Sequence, residues 1–137
     1  MKRTNSIFGL IINIAANKLQ NDSTVFYSQL PAEVKAFANN YFPGRAIAFI
    51  ENEGIAYTLT FDDETKVTVN ADGTWQEMDY SNEAELISLL PTNITASIKK
   101  CFTDAKIVKA KHNAEGYVVE LTNAICMKFN CQGAFAA

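Results

Sequence analysis

The chain has 137 residues, 48% of them apolar and 20% charged, with a net charge of −3. These figures fit an ordinary globular chain, long enough for one compact domain or two small halves sharing a core. Its 12 basic residues are scattered among 15 acidic ones, which leaves no basic cluster to neutralise phosphates and excludes a nucleic-acid binder.

Residues 1–22 admit two readings. Lys2 and Arg3 precede an apolar run from Ile7 to Ala16, as in a secretory leader. Asn13 interrupts that run and no small-x-small cleavage site follows. The other reading is an amphipathic helix, since Phe8, Ile12, Ala15 and Leu19 recur at helical spacing. A membrane span needs about 20 apolar residues, and this run is shorter. From Asn21 to Gln29 a short helix or turn is expected, capped by Asp22 or Ser23.

Leu30-Pro31 then opens a helix, because proline presets φ and has no donor to waste at a helix start. Val34, Phe37, Ala38 and Tyr41 form its apolar stripe, and Phe42-Pro43-Gly44 ends it. Beyond that point the period falls from 3.6 to 2. Arg45 to Glu51 is a strand that alternates imperfectly, with Ile47 and Ile50 three apart, and so predicts a bulge or an edge position. Ile55, Tyr57, Leu59 and Phe61 alternate with Ala56, Thr58, Thr60 and Asp62 as a half-buried strand. Asp62-Asp63-Glu64 turns the chain into a strand carrying Thr65, Val67 and Val69. Asn70-Ala71-Asp72-Gly73 is a hairpin turn whose glycine supplies a positive φ, and Trp75 begins a fourth strand.

The same order recurs at an offset of 60 residues, without a gap, from Leu90 to Phe135. Leu30 and Pro31 fall on Leu90 and Pro91, Phe42 on Phe102, Tyr57 on Tyr117, Asn70 on Asn130 and Gly73 on Gly133. Asn82 and Glu85 read as a capping box on a short helix ahead of this copy. Ile94, Ile98 and Cys101 make the next helical stripe. Strands follow over Ala105 to Lys111, at Tyr117, Val119 and Leu121, at Ile125, Met127 and Phe129, and at Gly133 to Phe135. The fold class is therefore α+β. Two tandem helix-helix-four-strand repeats form a two-layer sandwich, with helices on one face of an antiparallel sheet of about eight strands. Repeat one spans 23–80 and repeat two 81–137, in a single domain over 23–137.

Leu30, Pro31, Phe42, Pro43, Tyr57, Asp72, Gly73 and Trp75, with Leu90, Pro91, Phe102, Tyr117 and Gly133, form a signature that resembles the PepSY-like family of β-lactamase-inhibitor-like proteins. These are small, mostly bacterial extracytoplasmic domains. The resemblance implies the fold of the β-lactamase inhibitory protein, whose concave sheet grips a partner enzyme. It implies a periplasmic or secreted location, and no catalytic residue or cofactor. This chain lacks the paired cysteines that staple each repeat of the inhibitor.

The residues themselves offer no catalytic, cofactor or metal constellation. His112 is the lone histidine, with no nucleophile motif to match it, and reads as a surface residue. Asp62, Asp63, Glu64, Asn70 and Asp72 superficially suggest calcium ligands, but the alternating ligand run with its closing Glu is absent, and Asx turns account for them. Cys101, Cys126 and Cys131 form neither an even set nor a C-x-x-C pair and read as free thiols, Cys101 the most buried. Trp75 and Phe135, at matched positions, read as core.

The sheet face away from the helices carries the remaining candidates. Alternation places Ala56, Thr58, Thr60, Lys66, Thr68, Gln76 and Met78 there, with Val118, Glu120, Thr122, Cys126 and Lys128. Thr58, Thr60, Lys66, Thr68, Gln76, Glu120 and Lys128, with Met78 and Tyr80 as apolar anchors at one end, are the expected partner-binding set. The function expected is a non-catalytic module docking a protein or peptide on that face. The alternative is a small-ligand or peptide carrier with a pocket between helices and sheet lined by Tyr57 and Tyr117.

Overall fold

Pro31 and Pro91 set up two helix starts in the same way. Each is an N-cap residue, with φ of −58° and −57° respectively. The Pro31 carbonyl accepts the N–H groups of Val34 and Lys35, and the Pro91 carbonyl those of Ile94 and Thr95. The computed structural model describes residues 24–79 and 83–136. In it these helices are α1 (Ala32–Tyr41) and α3 (Thr92–Cys101), with α2 (Glu83–Leu89) just ahead of α3. α1 ends where Phe42 leaves helical geometry, its N–H still bonded to the Ala38 carbonyl, and Gly44 then turns the chain at φ +72°.

The strands are β1 (Thr24–Val25), β2 (Ile47–Asn52), β3 (Ala56–Phe61), β4 (Lys66–Asn70), β5 (Trp75–Asp79), β6 (Ile107–Asn113), β7 (Gly116–Leu121) and β8 (Cys126–Phe129). They form one open sheet in which each strand pairs antiparallel with the next in sequence. One hydrophobic core unites Val34, Phe37 and Ala38 of α1, Leu86 and Leu89 of α2, and Ile94 and Ile98 of α3 with one face of the sheet. That face contributes Leu59, Phe61, Val67, Val69, Met78, Ala110, Val119, Leu121, Met127 and Phe129.

Bulges decide which side chains reach that core. The expected irregularity in β2 lies between Ile47 and Phe49, and β6 has the same shift between Ile107 and Lys109. A third shift falls in β5. Val69 pairs with Trp75, but Thr68 pairs with Glu77, so Gln76 is the extra residue. An inserted residue reverses the parity of everything after it. Trp75 and Met78 therefore both turn to the core, and Met78 is fully buried. The sequence reading that put Met78 on the opposite face as an anchor is corrected by this bulge.

Several other expectations change. Among the described residues the second half has no fourth strand: Phe135 makes only an isolated bridge to Phe129 and is 63% exposed rather than core. The eighth strand is instead β1, at the other edge. Where a helix or turn was expected from Asn21, Thr24 and Val25 pair with Glu51 and Ile50, and a 3-10 turn follows at Tyr27–Gln29. Cys101 is exposed, as are Cys126 and Cys131, and all three are free. Cys101 closes α3, and the next residue, Phe102, takes the inward position against the core. Residues 1–23, with the leader-or-helix reading and the Asp22 or Ser23 cap, lie outside the described residues, as do Tyr80 and Asn82. Glu85, expected to answer Asn82, pairs with Arg45. No helix among the described residues is long and apolar enough to cross a membrane.

The burial of Met78 predicts that Met78→Ala lowers unfolding free energy by about 2–5 kcal/mol, whereas Lys66→Ala changes it by less than about 0.5 kcal/mol. Urea denaturation of the two variants measures the difference. Gly116 has φ +141°, and a Cβ there would run into the Phe129 carbonyl oxygen. Gly116→Ala is expected to cost at least about 2 kcal/mol by the same assay, and more than Gly44→Ala, whose position is open.

Candidate functional site

The face opposite the core is organised by strand register. Thr58 and Thr60 of β3 point away from Leu59 and Phe61, and the pairings extend each threonine into a row across the sheet. The first row runs Glu51, Thr58, Thr68, Glu77, Lys111, Val118, Lys128. The second runs Phe49, Thr60, Lys66, Asp79, Lys109, Glu120, Cys126. Both cross the β5–β6 pairing without interruption.

Six residues chosen from the sequence therefore stand together: Thr58, Thr68 and Lys128 in the first row, Thr60, Lys66 and Glu120 in the second. Gln76 stands apart at the bulge, its amide donating to Asn70 Oδ1 at 2.5 Å. Sequence reasoning missed Phe49, Glu51, Glu77, Asp79, Lys109 and Lys111. The spacing of three between Trp75 and Met78 was the signal that would have set the parity of β5.

Electrostatics on this face centre on Lys109. Its ammonium lies 3.2 Å from Glu77 and 3.9 Å from Asp79. The hydrogen bond to Glu77, then the attraction of the same carboxylate, raises the Lys109 pKa. The hydroxyls of Thr58 and Thr68 are 3.0 Å apart and satisfy each other. The Thr60 hydroxyl is buried and has no partner among the described residues.

Other candidates have structural roles. His112 is half-buried on the core side, stacked on Tyr117 with ring centroids 4.6 Å apart, and its Nδ1 is 3.2 Å from the Trp75 carbonyl. It is a packed residue, not the surface one expected, because it shares the parity of buried Ala110. The acidic turn residues close Asx turns. Asp63 Oδ1 accepts the Thr65 N–H at 3.1 Å, and Asp72 Oδ1 accepts both the N–H and the hydroxyl of Thr74, at 3.0 and 2.7 Å. Asn113, Asn123 and Asn130 each accept the N–H two residues on. Among the described residues no group of three or more His, Cys, Asp or Glu is placed to hold a metal ion.

Arg45 donates to Asp63 at 2.6 Å and to Glu85, while its guanidinium lies over the rings of Phe61 and Phe42 at 5.1 and 5.8 Å. It joins the β3–β4 turn to α2. Tyr57 and Tyr117, the expected pocket lining, pack against the core. A cavity of about 420 Å³ is lined instead by Tyr27, Ala38, Phe42, Arg45 and Ile47, and another of about 390 Å³ by Asn70, Gln76, Glu77, Lys111 and His112.

Residues 17–71 and again 55–137 match the family described as "Putative beta-lactamase-inhibitor-like, PepSY-like". The chain belongs to this PepSY-like family. No curated protein matches it. Three solved structures share the PepSY-like chain's fold. A "putative periplasmic protein of unknown function" from Bacteroides vulgatus ATCC 8482 has TM-score 0.73 and 23% identity, over 82% of this chain and 93% of that one. A second putative periplasmic protein from the same organism has TM-score 0.71 and 24% identity, over 83% and 93%. A "putative calcium-regulated periplasmic protein" from Bacteroides thetaiotaomicron has TM-score 0.72 and 21% identity, over 84% and 94%.

The turn geometry gives a pH dependence. The Thr65 N–H is the largest influence holding the Asp63 carboxyl below its ordinary pKa, and the Thr74 hydroxyl is the largest for Asp72. A carboxyl depressed on folding contributes stability that is present above its unfolded pKa, about 3.9, and is lost as pH falls through the lower folded value. The Asp63→Asn, Asp72→Asn double variant keeps the Asx acceptors but removes the charges. It is expected to be less stable than wild type at pH 7 and to lose less on acidification below about pH 4. Urea midpoints across pH 2.5–7 check this.

Proposed function

We propose that this PepSY-like chain is a non-catalytic periplasmic binding module that docks a protein or peptide on the sheet face opposite its core. The reading takes the chain as two copies of one unit, 23–80 and 81–137, with the helices layered over one side of the shared sheet. The observation that carries it is the pair of rows running from β2 to β8 across the β5–β6 pairing. They form a broad platform of threonines and opposed charges, with Phe49 and Val118 as apolar points. A broad face with mixed polar and apolar contacts suits a macromolecular partner, whose binding is steered by charge and anchored by a few buried side chains. Family membership supports an inhibitor-like role toward an enzyme, and the solved relatives support the periplasm as its location. On this face Lys109 answers Glu77 and Asp79 across the β5–β6 pairing, an arrangement for complementarity and not for proton transfer.

The test is retention of a partner from a periplasmic extract of the native host on the immobilised chain. Val118→Arg and Glu120→Arg alter the β7 part of the face, and Lys99→Glu alters the exposed side of α3 as a control. The face variants are expected to weaken retention at least about tenfold with unchanged melting temperature, while Lys99→Glu retains it. Equal retention by all three would overturn the assignment of this face.

A further inference from the structure

One corner of the face, where β2, β3 and β4 meet, is built differently from the rest. Thr60 is 7% exposed there and its hydroxyl has no hydrogen-bond partner among the described residues. Buried hydroxyls are nearly always paired, as Thr58 is with Thr68 one row away. In register on either side of Thr60 stand Phe49, 40% exposed, and Lys66, also exposed. Residues opposed in an antiparallel pair lie close enough for their side chains to meet a single group.

Lys66 faces Asp79 in register. That carboxylate, however, lies 3.9 Å from Lys109, which also holds Glu77 at 3.2 Å. One cation thus draws both acidic neighbours of β5, and Lys66 has no ion pair among the described residues. A hydroxyl without an acceptor, a cation without an anion and an exposed ring occupy adjacent positions.

We propose that this corner receives an acidic side chain of a protein partner, its carboxylate taking a hydrogen bond from exposed Lys66 and, as the side chains covering it part, a second from the buried Thr60 hydroxyl, while a neighbouring apolar side chain rests on Phe49. The proposal rests on the docking role of the face and names the chemistry docked. A backbone carbonyl would satisfy Thr60 but would leave the charge of Lys66 unanswered. A carboxylate answers both, and charge-assisted hydrogen bonds are the stronger kind.

The test uses the full chain, ¹⁵N-labelled and followed by NMR, with two blocked peptides as probes: acetyl-Gly-Leu-Glu-Leu-Gly-amide and its Gln counterpart. The Glu peptide is expected to shift the amides of Phe49, Thr60 and Lys66. Its affinity should exceed that of the Gln peptide by at least about tenfold, and Lys66→Gln should abolish that preference. Because Lys66 is exposed, this variant leaves the core intact; Thr60→Val gives a second, weaker loss. Equal binding of the two peptides at this corner would overturn the carboxylate assignment and leave the docking face standing. Shifts confined to other parts of the molecule, or none up to about 10 mM peptide, where millimolar contacts register, would overturn the corner itself.

Discussion

The molecule depends on three residue pairs between β5 and β6: Glu77 with Lys111, Met78 with Ala110, and Asp79 with Lys109. Every strand before α2 lies on one side of this pairing and every strand after α3 on the other. Its core side is closed by Met78 and Ala110, both without solvent exposure. Its other side carries the Lys109 pairs with Glu77 and Asp79. Partly exposed ion pairs contribute at most about 1 kcal/mol each, whereas burying a methionine side chain contributes about 1.5–3 kcal/mol. Packing therefore holds the two parts of the sheet together, and the charges set register and surface character. Arg45 adds a second tie by linking the β3–β4 turn to Glu85 on α2.

The sequence made the strands legible wherever alternation was unbroken. Tyr57, Leu59 and Phe61 gave β3 its parity, Val67 and Val69 gave β4 theirs, and Val119 with Leu121 gave β7 its own. From these followed Thr58, Thr60, Lys66, Thr68, Glu120 and Lys128, all on the opposite face. The reading lost Met78 because strict alternation was carried from Trp75 through β5. Two apolar residues three apart cannot share a face of a regular strand, and the interval from Trp75 to Met78 repeats the interval from Ile47 to Ile50, which was read as a bulge or an edge position. The role of Phe135 was not legible, because matched position says nothing about whether a neighbouring strand exists to pair with. Nor was β1: two residues, Thr24 and Val25, are too few to show a period, and only the uncovered edge of β2 makes them a strand.

Several acidic and amide residues have a structural role in the turns. An Asx turn engages a side-chain oxygen with the N–H two residues on, satisfying a donor that the ladder leaves free at the hairpin end. Asp63, Asp72, Asn113, Asn123 and Asn130 all do this. A cation at either acidic turn would compete with those bonds for the same oxygens. The groups that looked most like ligands in sequence are thereby accounted for as the means by which the strands reverse direction.

Three charged groups share one direction of effect. Lys109 is held above its ordinary pKa by Glu77, and Asp63 and Asp72 are held below theirs by the hydrogen bonds they accept. Each shift moves its group further from neutrality, so each keeps its charge across the physiological range. Proton transfer calls for the reverse, a group poised near the working pH. On the proposed docking face, the Lys109 charge held at its register position is the kind of feature that sets electrostatic complementarity. Within that pattern the Thr60 hydroxyl has no hydrogen-bond partner among the described residues, and the Lys66 ammonium, outside the Lys109 pairs, stands next to it in register, with an exposed ring on the other side. An incoming group at that corner gains because its bonds replace no existing protein contact.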